Sequence, residues 1–253
     1  MPRTAALQVL EGVYSPELDN RRDVLVYVPP SYHGGHRSYP VLYMQDGQNL
    51  FDPETSFAGE WGLGRVMAAA ARRGLEAIVV AVPNMGTERL EEYSPYRESA
   101  AGGGGRGAAY AAFLAGTLKP LVDRRFRTRR SREHTVIAGS SMGGLISLYA
   151  LFRHPHTFGA AGVLSPSLWF AGGAIFSDID RAAFVPARIY LDIGALEGSE
   201  HVANARRMRD LLQAKGYRLG RDLRWLESRS GRHDERSWGR RFARALPWLL
   251  PTP

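Results

Sequence analysis

Cysteine is absent from the chain. Disulfides, thiol nucleophiles and thiolate metal sites are therefore excluded by arithmetic. Lysine is nearly absent as well: of 33 basic residues only Lys119 and Lys215 are lysines. The formal charge of +8 is thus carried by arginines spread along the sequence, and no basic patch of the kind nucleic acid requires stands out. The densest run, Arg124 to Arg132, falls between an expected helix and an expected strand and reads as a solvated connection. No stretch approaches the ~18 apolar residues of a membrane helix. Gln8 and Glu11 interrupt the N-terminal segment after Arg3, so a signal peptide is not expected. These absences predict a soluble, cytoplasmic protein that engages neither membrane nor nucleic acid.

Metal and cofactor patterns are also missing. Gly102 to Gly105 is not followed by Gly-Lys-Ser/Thr, so it is no phosphate loop. Asp46 to Asp52 lacks the spacing and closing Glu of a calcium loop. His154-Pro155-His156 cannot put both imidazoles on one helical face, and no HExxH occurs. No cofactor or metal is expected.

What is present is an alternation of short β-rich runs with longer helical patterns, the signature of a sheet wrapped by helices. A length of 253 residues fits one domain spanning 1–253. Strands are expected at 5–14 and 22–29, with Asp19-Asn20 as turn chemistry for an antiparallel hairpin. Further strands are expected at 39–45, 77–82, 135–138, 160–164, 188–193 and 223–226. Helices are expected at 61–73, 108–124, 142–153, 200–215 and 235–250. Residues 84–107 read as a long loop and 165–186 as an insertion.

The strongest chemical signal is Gly139-Ser140-Ser141-Met142-Gly143-Gly144. It matches Gly-x-Ser-x-Gly and lies between a β-branched strand and an amphipathic helix, the context in which that motif forms a nucleophile elbow. The serine needs a base, and the base an orienting carboxylate, in the chain order serine, acid, histidine. Of the seven histidines, His33, His36 and His134 precede Ser141. His154 and His156 flank a proline at a helix end, and His201 opens a helix, which leaves His233 in a late loop. For the acid, Glu197 follows the strand that ends at Gly194, with Asp192 inside that strand as its rival. The expected oxyanion donors are the backbone N–H of Met142, directly after the nucleophile, and of Gln48, in the loop after the 39–45 strand.

With these residues placed, the chain resembles an esterase family of α/β-hydrolases that includes enterochelin-esterase-like, feruloyl-esterase-like and esterase-D-like members. The resemblance rests on VYVPPSY (26–32), YPVLYMQDGQNLFD (39–52), Glu60-Trp61, EYSPYR (92–97), GSSMGG (139–144), SPSLW (165–169) and His233 with Trp238. It implies the α/β-hydrolase fold, a mostly parallel central sheet with helices on both faces. It also implies a triad landing on Ser141, Glu197 and His233, and an oxyanion donor just after Gly47. Gln45 stands where many relatives have histidine. Trp61 and Trp169 fall in segments similar to cleft-bordering ones and are candidates for substrate stacking or for plain packing. The expectation is a serine carboxylic-ester hydrolase acting on a small-molecule ester through an acyl-enzyme. An acyltransferase on the same triad and a non-catalytic binding scaffold are the alternatives, and the oligomeric state is open.

Overall fold

The structure is a computed structural model that describes residues 6–56, 59–98 and 102–250. Within them the strands are β1 (Ala6–Ser15), β2 (Asn20–Val28), β3 (Val41–Gln45), β4 (Ile78–Val82), β5 (Thr135–Ser140), β6 (Ala160–Leu164), β7 (Arg188–Gly194) and β8 (Leu223–Ser228). They form one sheet in the order β1-β2-β4-β3-β5-β6-β7-β8. The β1–β2 and β2–β4 pairs are antiparallel and the rest are parallel. The first hairpin turns at Asp19, whose φ of 51° is left-handed. Residue 5, expected to begin that hairpin, lies outside the described residues.

The parallel strands read as continuous apolar runs because both faces are covered. Along β3, alternate side chains enter opposite cores: Val41 and Tyr43 on one face, Leu42 and Met44 on the other. The first face is packed by α3 (Gly107–Ala112), α5 (Met142–Arg153), α6 (Phe170–Arg181) and α7 (Ser199–Ala214). The second is packed by α1 (Leu63–Ala71) and α8 (Glu235–Leu249). From α3 the chain passes through a π-helical stretch, Phe113–Leu118, into α4 (Lys119–Arg125), so the expected 108–124 helix exists with a widened middle.

Two segments differ from expectation. Residues 84–107 are not all loop: α2 (Arg89–Tyr93) lies within them, and Glu98 and Gly103 form an isolated bridge. Residues 99–101 are outside the described set. The 165–186 insertion contains α6, whose start is kinked by left-handed Ala171, Gly172 and Gly173. The arginine-rich connection is anchored: Arg127 donates to the Tyr32 carbonyl, and Arg132 to those of Phe158 and Pro186. Among the described residues no helix is long and apolar enough to cross a membrane.

Candidate active site

Ser141 sits between β5 and α5 with φ 57° and ψ −124°, a conformation that costs on the order of 1–3 kcal/mol and needs its surroundings to enforce it. The enforcement is visible. Its N–H donates to the Leu164 carbonyl, and its own carbonyl accepts from Gly144, Leu145 and Ser167. The flanking glycines are required by space. A Cβ at Gly139 would fall 2.7 Å from the Gly143 carbonyl carbon, and one at Gly143 would fall 2.9 Å from Cβ of Gln45.

His233 lies in the loop before α8. Asp234 caps that helix by accepting from the Ser237 N–H at 2.7 Å, and the Ser237 hydroxyl accepts from the Arg232 N–H. The imidazole stands edge-on to Trp238, with centroids 4.8 Å apart. Its Nε2 is 3.0 Å from Ser141 Oγ, and its Nδ1 is 2.8 Å from Glu197 Oε2. An ionised carboxylate only accepts, so Nδ1 carries the proton and Nε2 is left to accept from the serine hydroxyl.

Glu197, the carboxylate that the sequence reading favours over Asp192, is the one that meets His233. Its other oxygen, Oε1, accepts from the Gly194 N–H at 2.8 Å, the Ser165 hydroxyl at 2.7 Å and Arg241 Nη1 at 3.2 Å. Burial would raise the Glu197 pKa, but the hydrogen bonds from His233 and Ser165 and the charge of Arg241 outweigh it and hold the carboxyl below its usual range. Asp192 is fully buried behind it, accepting from Tyr190 and the Ser165 N–H and facing Arg241. Burial, partly offset by Arg241, raises its pKa to about 7.

Ser141 and His233 open onto a cleft of about 820 Å³. Its opposite wall is the 46–49 turn. There Asp46 is left-handed (φ 53°) and held by its N–H to Tyr93 Oη at 2.9 Å, by Asn84 Nδ2 at 2.6 Å and by a two-pronged Arg89 at 2.7 and 2.9 Å. Gln48 lines the cleft, its side-chain oxygen accepting from the Asn84 N–H at 3.2 Å. Met142 begins α5 directly beside Ser141. Gln45, the departure noted in the sequence, is buried with Oε1 accepting from Tyr110 Oη at 2.5 Å.

The two tryptophans singled out in the sequence are elsewhere. Trp61 is 5% exposed, packed against Trp238 and Phe242 in the second core. Trp169 is 43% exposed beside Phe170 and His201. Neither is among the cleft-lining residues, where the tryptophan is Trp238. Four further site residues escaped the sequence reading. Ser167, whose Oγ is 3.1 Å from Ser141 Oγ, and Arg241 sit at the serine and the acid. Glu235 and Arg89 line the cleft. Ser167 lies unremarked inside SPSLW (165–169), and no motif marks the other three, which only the fold brings to the site.

A mostly parallel sheet sandwiched by helices, with a strained serine between strand and helix, defines the α/β-hydrolase class of fold. The chain belongs to the family described as "Putative esterase", whose model matches residues 15–249. It is 27% identical over 253 residues to the uncharacterized protein YbbA of Bacillus subtilis, covering 95% of this chain and 97% of that one. It is 31% identical over 143 residues to the siderophore triacetylfusarinine C esterase of Aspergillus fumigatus, covering 54% of this chain but only 47% of the relative. Among solved structures, the enterobactin esterase FES of Shigella flexneri superposes with a TM-score of 0.78 at 21% identity, over 96% of this chain and 59% of that one. The BES protein of Bacillus cereus gives 0.75 at 19% identity, over 100% and 97%. At those identities the structural likeness speaks for the fold alone.

Proposed function

We propose that Ser141, His233 and Glu197 are the catalytic triad of a serine carboxylic-ester hydrolase that works through an acyl-enzyme. The observation that carries this reading is the continuous line Ser141 Oγ, His233 Nε2, His233 Nδ1, Glu197 Oε2, with steps of 3.0 and 2.8 Å across the ring. His233 takes the hydroxyl proton as Ser141 Oγ attacks the ester carbonyl, while Glu197 holds the ring and balances the imidazolium. The N–H groups of Gln48 and Met142 receive the developing oxyanion, and loss of one such donor costs about 3 kcal/mol. His233 then delivers its proton to the departing alcohol, and water, deprotonated by the same ring, releases the acid.

Ser167 adds a second hydrogen bond to the nucleophile. Since the Ser141 proton is directed at Nε2, the bond between the two hydroxyls leaves Ser167 as the donor, to an oxygen that becomes anionic as the proton departs. The relatives named as siderophore and enterobactin esterases make siderophore esters the natural substrates to test beside simple ones. The test is steady-state hydrolysis of p-nitrophenyl butyrate. The wild type is expected to turn over and Ser141→Ala to lose roughly 10⁵–10⁶-fold in kcat. An equally active Ser141→Ala would remove the proposal.

A further inference from the structure

Among the described acidic residues at the cleft and the triad, Asp46 is matched by the Arg89 cation and Glu197 by that of Arg241. Glu235 has no such ion pair. It lines the cleft, and its residue is only 8% exposed. Its carboxylate interacts with its own backbone N–H at the start of α8, and no cation among the described residues forms an ion pair with it. The charged groups facing it are Asp234 and Asp46, with His233 the single one of opposite tendency. Burial and those two carboxylates raise its pKa, the signature of an anion without its counterpart.

A helix N-terminus tolerates a carboxylate for its own sake. That accounts for an acidic residue at this position. It does not account for one that lines the reaction cleft with no cation paired to it, where a bound group can reach it. The Asp46 carboxylate, in the same cleft, is completed by three donors from Asn84 and Arg89. Glu235 has no such set of donors, which leaves it available to a group bound in the cleft.

We infer that Glu235 is a specificity-determining residue that accepts from the alcohol portion of the substrate, selecting alcohols that carry hydroxyl donors or a positive charge and disfavouring anionic ones. The inference rests on the proposed triad. The departing alcohol takes its proton from His233, so it occupies the His233 side of the cleft, and Glu235 lies two residues on along the same loop-to-helix segment. Arg89 is paired with Asp46, so those two charges largely offset one another and Glu235 is left as the unmatched charge of the cleft lining.

The test uses four aryl acetates of similar size at pH 8: phenyl, 3-hydroxyphenyl, 3-(trimethylammonio)phenyl and 3-carboxyphenyl acetate. The readout is the ratio of kcat/KM for the cationic ester to that for the anionic one, compared between wild type and Glu235→Gln so that intrinsic leaving-group reactivity cancels. The wild-type ratio is expected to exceed that of Glu235→Gln by roughly tenfold or more. The 3-hydroxyphenyl preference over phenyl should shrink in the same variant. In the wild type alone, raising NaCl from low to about 0.5 M should compress the charge ratio, a readout that does not depend on the variant folding. Equal ratios in the two proteins, or a wild type that favours the anionic ester through Arg89, would overturn the inference. Failure of the triad reading looks different: no ester of the four is hydrolysed, and a fluorophosphonate leaves Ser141 unmodified.

Discussion

Arg241 lies between Glu197 and Asp192, its Nη1 3.2 Å from Glu197 Oε1 and its Nε 3.1 Å from Asp192 Oδ2, with all three side chains buried. One guanidinium thus faces two carboxylates, and its Nη2 also donates to the Ser165 hydroxyl that bonds Glu197. Removing the cation strands both acids. Arg241→Met is expected to lose about 3–5 kcal/mol in urea unfolding. Combining it with Asp192→Asn should recover part of that loss, and the size of the recovery in a double-mutant cycle measures the coupling.

Asp192 carries a pH dependence of its own. Its pKa in the folded protein is about 7, well above its ordinary value near 4, so between those limits the folded state holds a proton that the unfolded chain has given up. Its contribution therefore falls as pH rises from about 4 to about 7 and levels off above. Asp192→Asn, which keeps an acceptor for the Ser165 N–H, should gain in melting temperature relative to wild type across that window. The differential is bounded by about 4 kcal/mol. A difference that is flat or opposite in sign would contradict this account. Glu197, held below its usual range, works the other way, its contribution being lost only in acid.

Ser167→Ala deletes the second hydrogen bond to Ser141, the proposed nucleophile, while leaving His233 in reach of it. kcat should fall roughly 5–20-fold with KM little changed, as expected for a charge-assisted bond of about 1.5 kcal/mol that strengthens as the alkoxide forms. The rate of fluorophosphonate capture should fall in parallel. A change in KM alone would assign Ser167 to substrate contact instead.

Gly47 precedes the proposed oxyanion donor, and a Cβ there would fall 2.6 Å from the Ala81 carbonyl carbon and 2.8 Å from the Pro83 nitrogen. Backbone cannot yield as a side chain can, so Gly47→Ala must shift the turn. A loss of about 10²-fold in kcat is expected from misplacing one donor. Thermal unfolding read alongside separates that loss from global unfolding.

The local chemistry was legible because it is written in adjacent residues. Gly139 to Gly144 specifies a strand, a strained serine and a helix, and all three are present. The histidine could be reached by chain order. Glu197 could be favoured over Asp192 because it lies just past β7 while Asp192 lies inside the strand, and the path of the chain after Gly194 turns it back toward the ring. The start of α6 was hidden by Ala171, Gly172 and Gly173, left-handed residues that interrupt any helical period, and α2 has five residues, too few to display one. The position of Trp61 depended on a distant partner. At Gly239, a Cβ would fall 2.0 Å from the Trp61 carbonyl oxygen, so α8 presses that segment into the second core.

The central claim is that an imidazole held by Glu197 draws the proton from Ser141 and that the serine oxygen then carries the acyl group. It is tested most directly by rapid mixing with p-nitrophenyl acetate, acid quenching and peptide mass mapping. A burst of one equivalent of p-nitrophenol with the acetyl group on Ser141, lost in both Ser141→Ala and His233→Ala, is the predicted result. An acetyl group found on another residue, or undiminished turnover in either variant, would contradict it.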